Sequence, residues 1–255
     1  MPLELVTIPA LSDNYTFLLH DETSGDTACI DVPEADPVLN ALSKRGWTLT
    51  DIWLTHHHHD HIGGVDDLLD RFDAKITGAK ADIHRLPTLN HEVGEGDSFE
   101  FGGEKVDVIE VPGHTVGHIA FVLPKAGYAF TGDSLMALGC GRLFEGTAEQ
   151  MWDSLKKFRD LDGNTLICSG HEYTQTNARF AETIEPDNQA LKDRRARIDQ
   201  ARKQGEPTVP SKLDEELATN PFLRADDPSV QSHLDMTGDD PADVFAEIRA
   251  RKDSF

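Results

Sequence analysis

Cysteine is scarce in this chain. Its three residues, Cys29, Cys140 and Cys168, are an odd number, and no two stand in Cys-x-x-Cys spacing. That argues against a disulfide framework and a cysteine-built zinc knuckle, and it fits reduced thiols and a cytoplasmic location. Basic residues are outnumbered, 24 Lys and Arg against 46 Asp and Glu, for a formal net charge of −22. Phosphate binding needs clustered Lys and Arg, so neither nucleic acid nor an anionic membrane is expected as a partner. The acidic excess reads as ordinary solubility rather than salt adaptation. Long apolar runs are missing too: stretches such as Ile119 to Pro124 fall well short of the ~20 residues a membrane span needs. Met1-Pro2-Leu3-Glu4 offers no basic region and no apolar core, so no secretory leader is expected.

What is present is a globular pattern. At 255 residues the chain can hold one large domain, or a mid-sized domain and a smaller one. The first two-thirds carries short apolar stretches bounded by Gly, Pro, Asp or Asn, which predict strands at Leu3 to Pro9, Tyr15 to Leu19, Ala28 to Val32, Asp51 to Thr55, Val106 to Val111, Ile119 to Leu123, Tyr128 to Thr131 and Thr165 to Ser169. Helical spacing covers Asp36 to Arg45, with Gly46 as its C-cap, and also Val65 to Phe72 and Ala148 to Leu161. Beyond Glu172 strand signals nearly vanish. Helices are predicted over Glu172 to Ile184, Asn188 to Lys203 and Ala242 to Lys252, with breaks at Gly205-Glu206-Pro207 and Asn220-Pro221. The expectation is an α/β domain over 1–172 and a small all-helical domain over 173–255, with a monomer as the default state.

The strongest local signal is Thr55-His56-His57-His58-His59-Asp60-His61, between a predicted strand and Gly63-Gly64. The run is internal and interrupted by Asp60, unlike a terminal tag. In an extended turn His56 and His58, two apart, project to the same side. Three more strand ends carry a Gly followed by a His or Asp: Gly113-His114, Gly132-Asp133 and Gly170-His171. Glycine there permits a sharp turn and close approach. Imidazole and carboxylate donors from four strand ends point to a metal site for Zn, Fe or Mn.

These motifs resemble the metallo-β-lactamase superfamily, whose fold is an αββα sandwich with the metals along one edge of its two sheets. The resemblance implies two divalent metal ions, Zn foremost. One would be held by His56, His58 and His114 and the other by Asp60, His61 and His171, with Asp133 bridging. His57 and His59 fall at variable positions and receive no ligand role. Within the superfamily, Gly139-Cys140-Gly141-Arg142-Leu143-Phe144-Glu145-Gly146-Thr147, Gly170-His171-Glu172-Tyr173-Thr174, Asn220-Pro221-Phe222-Leu223-Arg224 and the Arg249 to Phe255 terminus resemble the glyoxalase II enzymes, the hydroxyacylglutathione hydrolases.

That resemblance implies hydrolysis of S-D-lactoylglutathione, the second step of methylglyoxal detoxification. It implies that Arg142, Phe144, Tyr173, Arg249 and Lys252 contact glutathione. Phe144 stands where many eukaryotic members carry Tyr, which removes a hydrogen bond typically worth ~0.5–1.5 kcal/mol. The expected mechanism is attack by a metal-bridging hydroxide, with Asp60 orienting it and Asp133 holding the metals together. A thiolate leaving group needs no strong general acid, and Cys140 is given no covalent role. Rival readings are a persulfide dioxygenase of the same sandwich, another hydrolase of this fold, and a metal-stabilised binding protein.

Overall fold

A computed structural model describes residues 3–255. Met1 and Pro2, part of the segment read above for a leader, lie outside the described residues. The chain forms two compact units. One runs through Glu110 and resumes over Gly117–Gly132; the other comprises Val111–Val116 and Asp133–Phe255.

The first unit contains β1 (Glu4–Ala10), β2 (Asn14–His20), β3 (Thr27–Ile30), α1 (Ala35–Arg45), β4 (Asp51–Trp53), α2 (His59–Ile62), α3 (Val65–Leu69), β5 (Lys75–Ala79), β6 (His91–Val93), β7 (Ser98–Phe101), β8 (Glu104–Glu110), β9 (Ile119–Leu123) and β10 (Tyr128–Gly132). Strands β1 to β6 form one sheet in sequence order. Its first three strands pair antiparallel, and β3, β4, β5 and β6 pair parallel. The parallel β3–β4 pair requires a crossover, which α1 supplies. That helix ends as expected at Gly46, whose φ of 68° is the left-handed C-cap conformation open to glycine. Strands β7 to β10 pair antiparallel in order.

The two layers meet through aromatic side chains. Trp53 of β4 is fully buried and packs edge-on against Phe99 and Phe101 of β7, at 5.2 Å each, and against Phe121 of β9 and Phe130 of β10. This is the sheet-on-sheet core of the expected sandwich. The parallel strands β4 and β5 have every residue except their first buried, so they read as continuous apolar runs. Loops beyond the carboxyl ends of such strands are where α/β folds place ligand sites, and the His-rich loop leaves β4 there.

The second unit contains β11 (Leu135–Met136), β12 (Gly139–Cys140), α4 (Ala148–Phe158), β13 (Leu166–Ser169), α5 (Thr174–Ile184), α6 (Gln189–Lys203), β14 (Ser211–Lys212), α7 (Leu213–Thr219), α8 (Pro228–His233) and α9 (Pro241–Asp253). Thr147 caps α4 in a reciprocal box with Gln150, and Asn188 caps α6. A buried polar hub ties the helices to the β11–β12 turn. Glu216 of α7 pairs with Arg194 of α6 and accepts from Leu138 N at 2.8 Å. Asn220 donates to Met136 O, Gly139 O and Glu216, and Asn177 of α5 donates to Ala137 O. The helical region thus holds the backbone that joins Asp133 to Arg142. Among the described residues no helix is long and apolar enough to cross a membrane.

Candidate metal and substrate site

Each unit presents part of the expected ligand set. In the first, the loop after β4 is organised by a residue the sequence reading missed. Asp31, at φ 56°, accepts from Thr55 N (2.8 Å), Thr55 Oγ1 (2.8 Å) and His61 Nδ1 (2.8 Å). Having given its proton to Asp31, the Thr55 hydroxyl accepts from His56 Nδ1 at 3.0 Å. Both imidazoles therefore carry their proton on Nδ1 and keep a lone pair on Nε2, the tautomer a metal ligand needs. Donor atoms of Asp31, His56 and His61 lie within 4.8 Å of one another, but the Asp31 oxygens are spent on three donors.

His58 Nδ1 stands 3.1 Å from His56 Nε2, and Asp60 Oδ2 stands 3.8 Å from His61 Nε2. Two donors bound tetrahedrally to one zinc at ~2.0–2.1 Å would be roughly 3.3 Å apart, so the His56–His58 separation fits a shared cation. The ring of His57 is engaged elsewhere: its Nδ1 meets buried Asp82 at 2.9 Å, and Arg85 Nε donates to the other Asp82 oxygen at 2.5 Å. His59 is exposed on α2. His118, which the sequence reading left without a role, stacks on His56 with ring centroids 4.6 Å apart.

The second unit brings His114, Asp133 and His171 together. Asp133 Oδ2 lies 3.5 Å from His114 Nε2 and 3.3 Å from His171 Nε2, both separations again fitting donors around one cation. His114 Nδ1 donates to the carbonyl of Arg142 at 2.8 Å, which fixes its tautomer. The loop carrying Arg142 and Phe144 is braced on the His114 turn by Phe144 N to His114 O and Gly146 N to Gly113 O. That closeness requires glycine at 141, where a Cβ would sit 2.1 Å from Asp133 O and 2.8 Å from His114 Nδ1.

The residues expected at glutathione are in the same unit. Phe144 is 62% exposed with its ring 5.2 Å from that of His114, and Tyr173 stacks on His171 at 4.7 Å. Arg249 is buried; it donates to Cys140 O (3.1 Å) and Asp253 (2.7 Å) and lies over the Phe222 ring. Its Nε is buried without a hydrogen-bond partner among the described residues. Burial, with Arg249 and Arg142 nearby, pushes the Lys252 ammonium down to about 8. Arg251 pairs with Glu247 on the same helix. Glu172 is structural, accepting from Thr208 N and Oγ1. Burial pushes the Cys140 thiol up to about 11, so it is protonated at neutral pH.

A two-sheet sandwich with His and Asp clusters at its strand ends defines a divalent-metal-binding protein of the metallo-β-lactamase fold. Comparison with known proteins agrees and goes further. Residues 22–171 match the metallo-beta-lactamase superfamily, and residues 172–255 match the hydroxyacylglutathione hydrolase C-terminus. The crystal structure of the BLEG-1 B3 metallo-beta-lactamase covers 86% of the chain, and 99% of its own, at 21% identity and a TM-score of 0.67. That of ETHE1 from Myxococcus xanthus covers 88%, and 98% of its own, at 28% identity and 0.58. A hydroxyacylglutathione hydrolase of Ruegeria pomeroyi is 62% identical over the full length of both chains. The chain belongs to the hydroxyacylglutathione hydrolase family of the metallo-β-lactamase superfamily.

Proposed function

We propose that the chain hydrolyses S-D-lactoylglutathione, a 2-hydroxyacylglutathione thioester, to glutathione and D-lactate, as the second step of methylglyoxal detoxification. One observation carries the link from site to substrate. The Arg142 carbonyl holds His114, while its guanidinium repels the Lys252 ammonium alongside Arg249. One loop thus serves both a metal ligand and a cationic cluster suited to the carboxylates of glutathione.

His56, His58 and His114 would hold one divalent cation and Asp60, His61 and His171 a second, with Asp133 common to both; zinc suits these donors, as do iron and manganese. Divalent cations held there would lower the pKa of a bound water and would polarise the thioester carbonyl. The chain does the rest. Thr55, Asp31 and Arg142 O fix the tautomers of His56, His61 and His114, and the neutral Cys140 thiol takes no nucleophilic part. Arg249 and Lys252 would grip the glycine carboxylate, with Arg142, Phe144 and Tyr173 along the peptide. Water loses a proton as it adds to the acyl carbon, the C–S bond breaks, and the thiolate leaves without a strong acid and is protonated to glutathione. Residues 1–172 would then supply the metal centre and 173–255 much of the substrate grip. A cytoplasmic location fits three buried free cysteines, and a monomer is the default state.

The test is loss of S-D-lactoylglutathione, followed by its thioester absorbance, with metal content determined on the same sample. Rapid hydrolysis with close to two metals per chain supports the reading. Two bound metals without hydrolysis would discard the glutathione assignment, and oxygen consumption with glutathione persulfide would favour the dioxygenase.

A further inference from the structure

Asn14 opens β2, only 4% exposed, far in sequence from the His-rich loop. Its Nδ2 donates twice to one residue, at 3.1 Å to the backbone carbonyl of Asp60 and at 3.1 Å to Asp60 Oδ2. Both partners only accept, so the chemistry fixes which way the amide faces. The two bonds close a ring through main chain and side chain and thereby set the rotamer of Asp60. That carboxylate belongs to a four-residue helix and is 41% exposed. The oxygen that Asn14 grips is the one 3.8 Å from His61 Nε2. A carboxylate oxygen has two lone pairs, so accepting one amide proton leaves it able to bind a cation. The amide is also neutral. A Lys or Arg there would compete with a metal for the Asp60 charge, whereas Asn orients it and leaves the charge available. Asn14 is itself held by a strand, paired with Ala10 across the β1–β2 hairpin, and a site is best positioned from a rigid element.

We propose that Asn14 is a positioning residue for the second metal, holding the Asp60 carboxylate turned toward His61; this rests on the two-metal reading above. The experiment is titration of metal-free protein with zinc against a chromophoric chelator, with bound zinc counted, for the natural chain, Asn14→Ala, Asp60→Ala and the double variant. Asn14→Ala should weaken one of the two metals about 10- to 100-fold, as removal of a group that orients a ligand does, and leave the other unchanged. In the Asp60→Ala background the same change should have no further effect, because its target is gone. Asn14→Ser, whose shorter side chain reaches one acceptor at most, should fall between and covers the case that the alanine variant does not fold. Two metals at natural affinity in a folded Asn14→Ala or Asn14→Ser protein would overturn the assignment, and so would additive losses in the double variant. A single metal in the natural chain would instead overturn the two-metal reading itself.

Discussion

Asp31→Asn is the most informative single change at the metal loop, because it keeps shape and removes charge. Asp31 sits at φ 56°, a left-handed conformation that Asn tolerates at least as well, so no backbone strain is added. The carboxylate accepts three hydrogen bonds, from Thr55 N, Thr55 Oγ1 and His61 Nδ1. An amide offers one accepting oxygen. With that oxygen in the Oδ2 position, its NH2 faces Thr55 N, and one buried donor loses its partner. With it in the Oδ1 position, the NH2 faces Thr55 Oγ1 and His61 Nδ1. The hydroxyl must then turn its proton on His56 Nδ1, and both imidazoles are driven to the tautomer that blocks Nε2.

A buried donor left unmade costs about 1–3 kcal/mol, so the metal-free protein should lose about that much stability. Metal affinity should fall further, because Asp31 acts on His56 and His61, which the proposal assigns to different metals. A loss of about 10- to 100-fold for each is expected, and 100-fold corresponds to about 2.7 kcal/mol. Urea unfolding of the metal-free protein and chelator competition on the loaded protein separate the two effects. Lower stability with both metals at natural affinity would refute the tautomer argument and reduce Asp31 to a structural role.

At the other ligand cluster, Gly141→Ala should abolish metal retention by His114 and Asp133 or prevent folding, because its Cβ would lie 2.1 Å from Asp133 O; a folded variant with full metal content would contradict this. Phe144→Tyr restores a hydroxyl at an exposed site, and a KM for S-D-lactoylglutathione about 2- to 10-fold lower is expected, with kcat unchanged. Lys252, pushed from 10.5 to about 8, is charged below pH 8, so KM should rise as pH passes 8, and Lys252→Met should remove that rise. Because the unfolded chain binds this proton up to about 10.5, folding stability from this group should increase between pH 8 and 10.5, read by urea midpoints.

How much of this was legible in the sequence depended on residue chemistry. Imidazoles after a strand have few structural uses, so the seven candidate ligands stood out, and the structure gathers them at strand ends within each unit. Asp31, Asn14 and Asp82 did not stand out, being common residue types whose partners lie 24, 46 and 25 positions away. Asp31 fell inside the predicted strand Ala28 to Val32; β3 in fact ends at Ile30, which leaves Asp31 just past a strand end with no preceding glycine of the kind that drew notice to Asp133. Strands β5, β6 and β7 were missed for separate reasons. Lys75–Ala79 includes a glycine and small residues, while His91–Val93 and Ser98–Phe101 are short and largely polar or exposed. Asn220 read only as the start of a helix-breaking pair. The break is real, with α7 ending at Thr219, but the same side chain is a buried donor to three acceptors.

On the proposed reading, the cationic cluster is what would let a chain of net charge −22 bind an anion. At physiological ionic strength charges are screened over ~8 Å, so an arriving carboxylate responds to the nearest groups more than to the whole surface. Those groups are not equivalent. Arginine cannot shed its proton at neutral pH, and Arg249 is fixed by Cys140 O, Asp253 and the Phe222 ring. Burial first, and then the neighbouring charges of Arg249 and Arg142, tell on Lys252, the one member able to lose its charge, and lower its pKa to about 8. A substrate carboxylate at this point would add negative charge beyond that of Asp253 and should raise the Lys252 pKa. Glutathione binding near pH 8 to 9 should then take up protons, and calorimetry in buffers of different ionisation enthalpy would read it. Binding without proton uptake would mean that the carboxylate docks away from Lys252.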